Sequence, residues 1–159
     1  SFGISKVKQK SEMETAIKFA LKHDNKVLIE QFIDGTEVSC GVMVLNNEIT
    51  SLPITEIVSE NEFFDFQAKY QGLSQEITPA RISNNLTLKI QKTTEEIYKK
   101  MELRGLCRVD FIIMGSIPYT IEINTIPGLS EESIIPKQAK EAGILLAELF
   151  DICIENTMN

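Results

Sequence analysis

A chain of 159 residues with 43% apolar and 25% charged residues has the composition of one globular domain and is long enough to bury a real core. Its net charge of −7, with both signs interspersed, argues against nucleic acid as the main partner, because neutralising phosphates needs a basic face. The 3 cysteines (Cys40, Cys107, Cys153) lack CxxC spacing and point to a reducing cytoplasm rather than a disulfide framework or zinc site, and no run reaches the ~18 apolar residues of a membrane span.

The chain begins without Met, as if cut from something longer, and Ser1-Phe2-Gly3-Ile4-Ser5-Lys6-Val7 reads as a glycine/serine loop running into a strand. Ser11, with Glu14 three residues on, predicts a capping box and a helix whose apolar stripe is Ala16, Ile17, Phe19, Ala20 and Leu21. That helix should end near His23, a solvated residue at the favourable end of the dipole. Lys26 to Ile33 predicts a strand ending at the Asp34-Gly35 turn, and Glu37 through Leu45 a second, turned back by Asn46-Asn47. Residues 49–58 stay extended, with Pro53 confining part of them to an edge. Between about 59 and 75 neither period is clear, yet the aromatics Phe63, Phe64, Phe66 and Tyr70 argue against disorder. Such a loop is either functional or simply pinned by its rings. Ser83 caps a long helix from Asn84 to about Leu103, and after Gly128 a loop, a short helix to Ala142 and a terminal helix close the chain. The order predicts an α+β domain rather than a βαβ array.

The stretch from Arg108 to Gly128 carries the chemistry. Two β-branched strands meet at a tight Gly115-Ser116 turn, and Glu122 and Asn124, two apart, leave the same face. If the strands pair, Asp110 lies near them, and two carboxylates with an amide oxygen suit a hard cation such as Mg²⁺. Their alternative is a set of edge-strand polar residues facing water. Against it, Asp110 and Glu122 interrupt strongly apolar strands, and buried carboxylates need a cation or strong donors. Lys69 in the aromatic loop and Arg108 beside Asp110 are the cations best placed to meet phosphate. There is no GxxxxGK[ST] and no GxGxxG after a strand. The strand end Glu30-Gln31-Phe32-Ile33 offers backbone groups to a purine edge, and Glu37 could accept from ribose hydroxyls or face solvent.

Together, Gly105-Leu106-Cys107, Arg108-Val109-Asp110-Phe111, Glu122-Ile123-Asn124-Thr125-Ile126-Pro127-Gly128 and Phe64-Asp65-Phe66-Gln67-Ala68-Lys69-Tyr70 resemble the C-terminal part of the D-alanine–D-alanine ligases, of the ATP-grasp superfamily. The opening seven residues resemble the tail of that family's serine-rich phosphate loop. The resemblance implies an α+β ATP-grasp fold of two antiparallel-sheet subdomains with flanking helices. A nucleotide lid would occupy about 1–58, a substrate loop 59–76 and a metal-binding part 77–159, the family's N-terminal domain being absent. It implies that Glu30, with the backbone of Gln31 and Ile33, reads adenine between the walls Phe32, Phe63, Ile112 and Ile121, and that Glu37 holds ribose. Lys69 would contact phosphate, and Asp110, Glu122 and Asn124 would hold two Mg²⁺ ions, with Mn²⁺ as a substitute. Arg108, Tyr70, Gly128 and Ser133 would serve the acyl transfer and the second D-alanine.

The implied activity is ATP-dependent joining of two D-alanines in peptidoglycan precursor synthesis, in the cytoplasm, by a homodimeric parent, with this chain inactive alone. Its alternatives are another ATP-grasp carboxylate–amine or D-alanine–D-lactate ligase, or a non-catalytic nucleotide-binding module. Leu129-Ser130-Glu131-Glu132 departs from the family pattern by placing two acids near the expected acceptor pocket, and Phe64 and Phe66 stand where tyrosines are usual.

Overall fold

The computed structural model describes residues 2–59 and 74–158. A single 3₁₀ turn, Lys10–Glu12, leads into helix α1 (Met13–Ala20). Four strands follow, β1 (Thr36–Leu45), β2 (Glu48–Ser51), β3 (Thr55–Ser59) and β4 (Ser74–Ile77), then the long helix α2 (Asn84–Lys100). A hairpin of β5 (Cys107–Met114) and β6 (Ile117–Asn124) and the helices α3 (Ile134–Glu141) and α4 (Leu146–Met158) complete the described chain. Every strand pairing is antiparallel, and the main order is β4-β3-β1-β5-β6, with β2 pairing the far half of β1.

The sheet follows from turn chemistry. Asn46 and Asn47 both adopt positive φ (51° and 66°), the combination a two-residue turn between right-twisted strands requires. Gly115, at φ 63°, does the same for the β5–β6 hairpin. Leu52, Pro53 and Ile54 separate β2 from β3, as expected of a proline that cannot donate to the ladder. One sheet face buries Val38, Cys40, Val109, Phe111 and Ile113 with Ile90 of α2, whose Ser83 cap accepts from Leu86 N–H at 3.4 Å. Met43, Leu52 and Leu106 pack with Ile135 and Ala139 of α3 and Leu149 of α4.

Three expectations change. Strands predicted for two sheets share one: β1 pairs β5 across seven rungs, from Thr36↔Ile113 to Val42↔Cys107. Residues 4–8 and 26–33 are not strands; Leu28 and Ile29 are 81% and 63% exposed. Apolar, β-branched sequence makes a strand only where another strand supplies its hydrogen bonds, and among the described residues none lies alongside. At α1 the capping carboxylate is Glu12, not Glu14. It accepts from the backbone N–H of Lys8 (2.9 Å) and Gln9 (3.2 Å), so the helical backbone begins a turn early, and Glu14 instead pairs with Lys18 at 2.6 Å. Among the described residues, no helix is long and apolar enough to cross a membrane.

Candidate functional site

Register builds the site on one face of the sheet. Directly paired residues point the same way, and each second residue returns to that face about 7 Å further along. Three alternate rungs therefore carry Glu37 with Ile112, Ser39 with Asp110 and Glu122, and Gly41 with Arg108 and Asn124. The alternating residues Val38, Cys40, Val109 and Phe111 go to the core beneath. On β6 the alternation is kept by a bulge: Asp110 pairs Glu122 but Phe111 pairs Thr120, leaving Ile121 as the extra residue, 49% exposed.

Asp110, only 7% exposed, is the hub. Its Oδ1 accepts from Ser39 Oγ at 2.6 Å and from Arg108 Nε at 2.8 Å, and its Oδ2 accepts from Arg108 Nη2 at 2.8 Å and Asn124 Nδ2 at 3.0 Å. Asn124 Nδ2 also donates to Glu122 Oε1 at 3.1 Å, so one amide group stands within reach of both carboxylates. The hairpin thus brings together the three residues that side-chain direction singles out in the sequence, with Arg108 forked onto one of them. Burial works against the Arg108 charge, but its hydrogen bonds to Asp110 and the charges of Asp110, Glu122 and Glu76 outweigh that and hold the guanidinium above its ordinary range. Arg108 is a fixed cation.

Asp110 and Glu122 offer hard carboxylate oxygens of the kind Mg²⁺ takes with water or phosphate oxygens, and Asn124, whose Nδ2 faces both carboxylates here, would add its amide oxygen with the amide turned over, so the residue types fit that ion. Among the described residues no three His, Cys, Asp or Glu side chains gather as a metal cluster, so the two carboxylates here would depend on the amide and on outside oxygens.

The loop after β6 leads into α3, whose Gln138 meets the backbone of Ser39 and Gly41. A Cβ on Gly128 would lie 2.8 Å from Ser133 Oγ, so these two are brought together. Ser133 N-caps α3, its N–H donating to Ser130 O at 2.8 Å and its hydroxyl pairing with Ser130 Oγ at 2.7 Å. Lys137, one turn on, meets Glu76 Oε2 at 3.1 Å and Glu132 Oε2 at 3.4 Å. Burial pulls the Lys137 ammonium down, and the bonds and charges of Glu76 and Glu132 more than reverse it. The acid at 132 is thereby matched by a cation that sequence reading did not single out.

Of the proposed purine residues, Glu30, Gln31 and Phe32 are exposed and Ile33 is half-buried, in a segment off the sheet. The Phe32 ring carries Lys6 Nζ 3.7 Å from its centre. Phe63, Lys69 and Tyr70 lie outside the described residues. Sequence reading also missed Ser39 and Gln138. Ser39 was available in principle, being two residues from Glu37 on a strand whose even positions are apolar; Gln138 carries no local signal.

Residues 1–155 match the family model for the D-ala D-ala ligase C-terminus. The chain belongs to the D-alanine–D-alanine ligase family. It is 57% identical over 155 residues to a D-alanine–D-alanine ligase of Flavobacterium johnsoniae, an alignment covering 98% of this chain and 48% of that protein. To the ligase of Christiangramia forsetii it is 50% identical, over 100% of this chain and 49% of that one. The chain thus spans about half the length of the curated relatives it matches. The ligase of Bacillus anthracis in complex with ATP superposes with a TM-score of 0.79 at 32% identity, over 96% of this chain and 49% of that one. A D-Ala:D-Ser ligase of Enterococcus faecalis superposes at 0.82 and 35%, over 96% and 45%. The fold is therefore ATP-grasp, in its C-terminal part.

Proposed function

We propose that this chain is the nucleotide- and metal-holding half of an ATP-dependent ligase joining two D-alanines. The observation that carries the reading is the rung pattern Ser39–Asp110–Glu122 beside Gly41–Arg108–Asn124, which puts two carboxylates, an amide and a fixed cation on one face. In the reaction, a carboxylate oxygen of the first D-alanine attacks the γ-phosphorus of ATP and ADP leaves. The amine of the second attacks the acyl carbon of the resulting acyl phosphate, giving a tetrahedral adduct that expels phosphate and leaves the dipeptide.

Asp110, Glu122 and Asn124 would hold Mg²⁺, which would supply screening of the phosphate charge. Arg108 supplies fixed positive charge, held by its fork to Asp110, where negative charge collects on the acyl oxygen. Glu37 and Ile112, one rung along, receive ribose and one adenine face; Glu30, Gln31, Phe32, Ile33, Phe63 and Ile121 complete the purine surroundings and Lys69 meets phosphate. Gly128 N–H and Ser133 orient the second amino acid, with Tyr70 from the substrate loop. Lys137 keeps the Glu132 carboxylate from repelling the acceptor's own.

The isolated chain is proposed to bind Mg-ATP without turnover. A hybrid of this chain behind the upstream half of the Flavobacterium johnsoniae ligase tests the reading. D-alanine should trigger ADP release, and D-lactate much less. A hybrid that folds and binds ATP, yet releases no ADP with D-alanine, overturns the proposal.

A further inference from the structure

Resting on the assignment of Asp110 as a metal ligand, we propose that Ser39 is a positioning residue that fixes which carboxylate oxygen Asp110 offers. The Ser39 hydroxyl, fully buried, donates to Oδ1 at 2.6 Å. That leaves Oδ2 turned towards Asn124, and through it towards Glu122, the side on which a cation would be shared. Arg108 alone cannot impose this choice, because its fork touches both oxygens at 2.8 Å. The serine is the one donor to Asp110 that comes from the strand on its other side.

Ser39 is itself held from three directions. Its Cα pairs Thr55 on β3 and Asp110 on β5. On its third side the amide of Gln138, fully buried on α3, donates to Ser39 O at 2.8 Å and to Thr55 Oγ1 at 3.1 Å and accepts from Gly41 N–H at 2.9 Å. This amide occupies the stretch where β2 gives way to β3 and neighbouring strands do not complete the β1 ladder. A side chain so tied has little rotational freedom, and a rigid donor to a ligating carboxylate fixes its orientation. A buried serine needing only a partner for itself could donate to a strand carbonyl; this one is aimed at the charged group.

The test is Mn²⁺ titration of the chain by electron paramagnetic resonance, with far-UV circular dichroism to confirm folding. Ser39→Ala should weaken Mn²⁺ binding about 10- to 100-fold, the usual consequence of losing such a partner. To separate this loss from the effect of a cavity on the fold, the matched pair Ser39→Thr and Ser39→Val, which differ by a hydroxyl in place of a methyl, repeats the comparison at constant volume. The threonine variant should stay within about threefold of the parent, and the valine variant should behave like alanine. Asp110→Asn should abolish binding. If it does while alanine and valine at 39 bind as the parent does, the role of Ser39 is overturned and the metal assignment stands. If Asp110→Asn binds normally, or the parent chain takes up no Mn²⁺ at millimolar metal, the assignment falls and the inference with it.

Discussion

Arg108 is worth more than a surface arginine because its fork is held on both oxygens of Asp110 with Glu122 and Glu76 within its field. Arg108→Lys keeps the charge but not the planar two-point contact, so it should not rescue function. In the hybrid ligase the expected outcome is a fall in kcat of about 10²- to 10³-fold, the scale of losing one fixed donor at a developing oxyanion; near-parental kcat would remove Arg108 from the acyl-transfer step. A second residue-scale pair is purely structural. Glu56, 8% exposed on β3, takes Arg81 Nε at 2.9 Å, Nη2 at 2.8 Å and Arg81 N–H at 3.2 Å. The Arg81 hydrogen bonds hold its carboxyl below the ordinary 4.5 despite the opposing effect of burial. A depressed folded-state value means stability that is present above pH 4.5 and lost as pH falls through the folded value. Arg81→Gln should therefore lower the urea midpoint at pH 7, and the gap from the parent should close on acidification below 4.5. A gap that stays constant with pH would contradict this account.

The elements show which parts of the fold can be read from a sequence and which cannot. The two hairpins were legible because positive-φ residues sit between runs of strict alternation, and both signals are local. That Glu122 and Asn124 share a face with Asp110 was legible for the same reason, since they need only a strand to share a side. The 26–33 strand was misread because strand formation depends on a neighbour, and no property of Val27-Leu28-Ile29 reports whether one is present. At α1 the pattern of a serine with a glutamate three residues on picks Glu14 behind Ser11, whereas the box closes on Glu12 behind Gln9, a residue type that pattern leaves out. The approach of α3 to β1 was invisible as well, since it depends on a glycine meeting a glutamine 97 residues later. A Cβ at Gly41 would sit 2.7 Å from Gln138 Oε1 and Ile135 Cδ1 and 2.9 Å from Leu52 Cδ1. Gly41→Ala should cost about 1–3 kcal/mol by overpacking, measured by urea denaturation. Phe111→Ala, deleting a fully buried ring between sheet and α2, should cost about 3–5 kcal/mol.

Over the whole molecule, stability is unevenly distributed. β1 and β5 are hydrogen-bonded on both sides within the sheet and covered by α2, whereas residues 26–33 join no ladder and leave Leu28, Ile29 and Phe32 largely exposed. Native-state hydrogen exchange should rank them accordingly, with the amides of β1 and β5 opening only near global unfolding and those of 27–33 exchanging fastest. Protection of 27–33 comparable to β1 would show that the segment finds a partner. The same ordering leaves the proposed metal face beside the most protected strands and the proposed purine-reading segment on the least protected one. The buried thiol of Cys40, pushed up to about 12 mainly by burial, belongs to the protected part and should resist thiol reagents until the sheet opens.

The bulge on β6 has a bearing on chain length. With Ile121 as a supernumerary residue, the hairpin contains one amino acid more than its ladder uses between the turn and Glu122. Excising Ile121 would regularise the ladder and still seat Glu122 opposite Asp110 and Asn124 opposite Arg108. Inserting a residue into the regular stretch beyond it would rotate both ligands into the oily layer against α2. Length variation in this hairpin is therefore directional: one deletion keeps the register of Asp110, Glu122 and Asn124 while removing the exposed Ile121 side chain, so it would separate the proposed metal-holding role of the three from the proposed purine contact of the one.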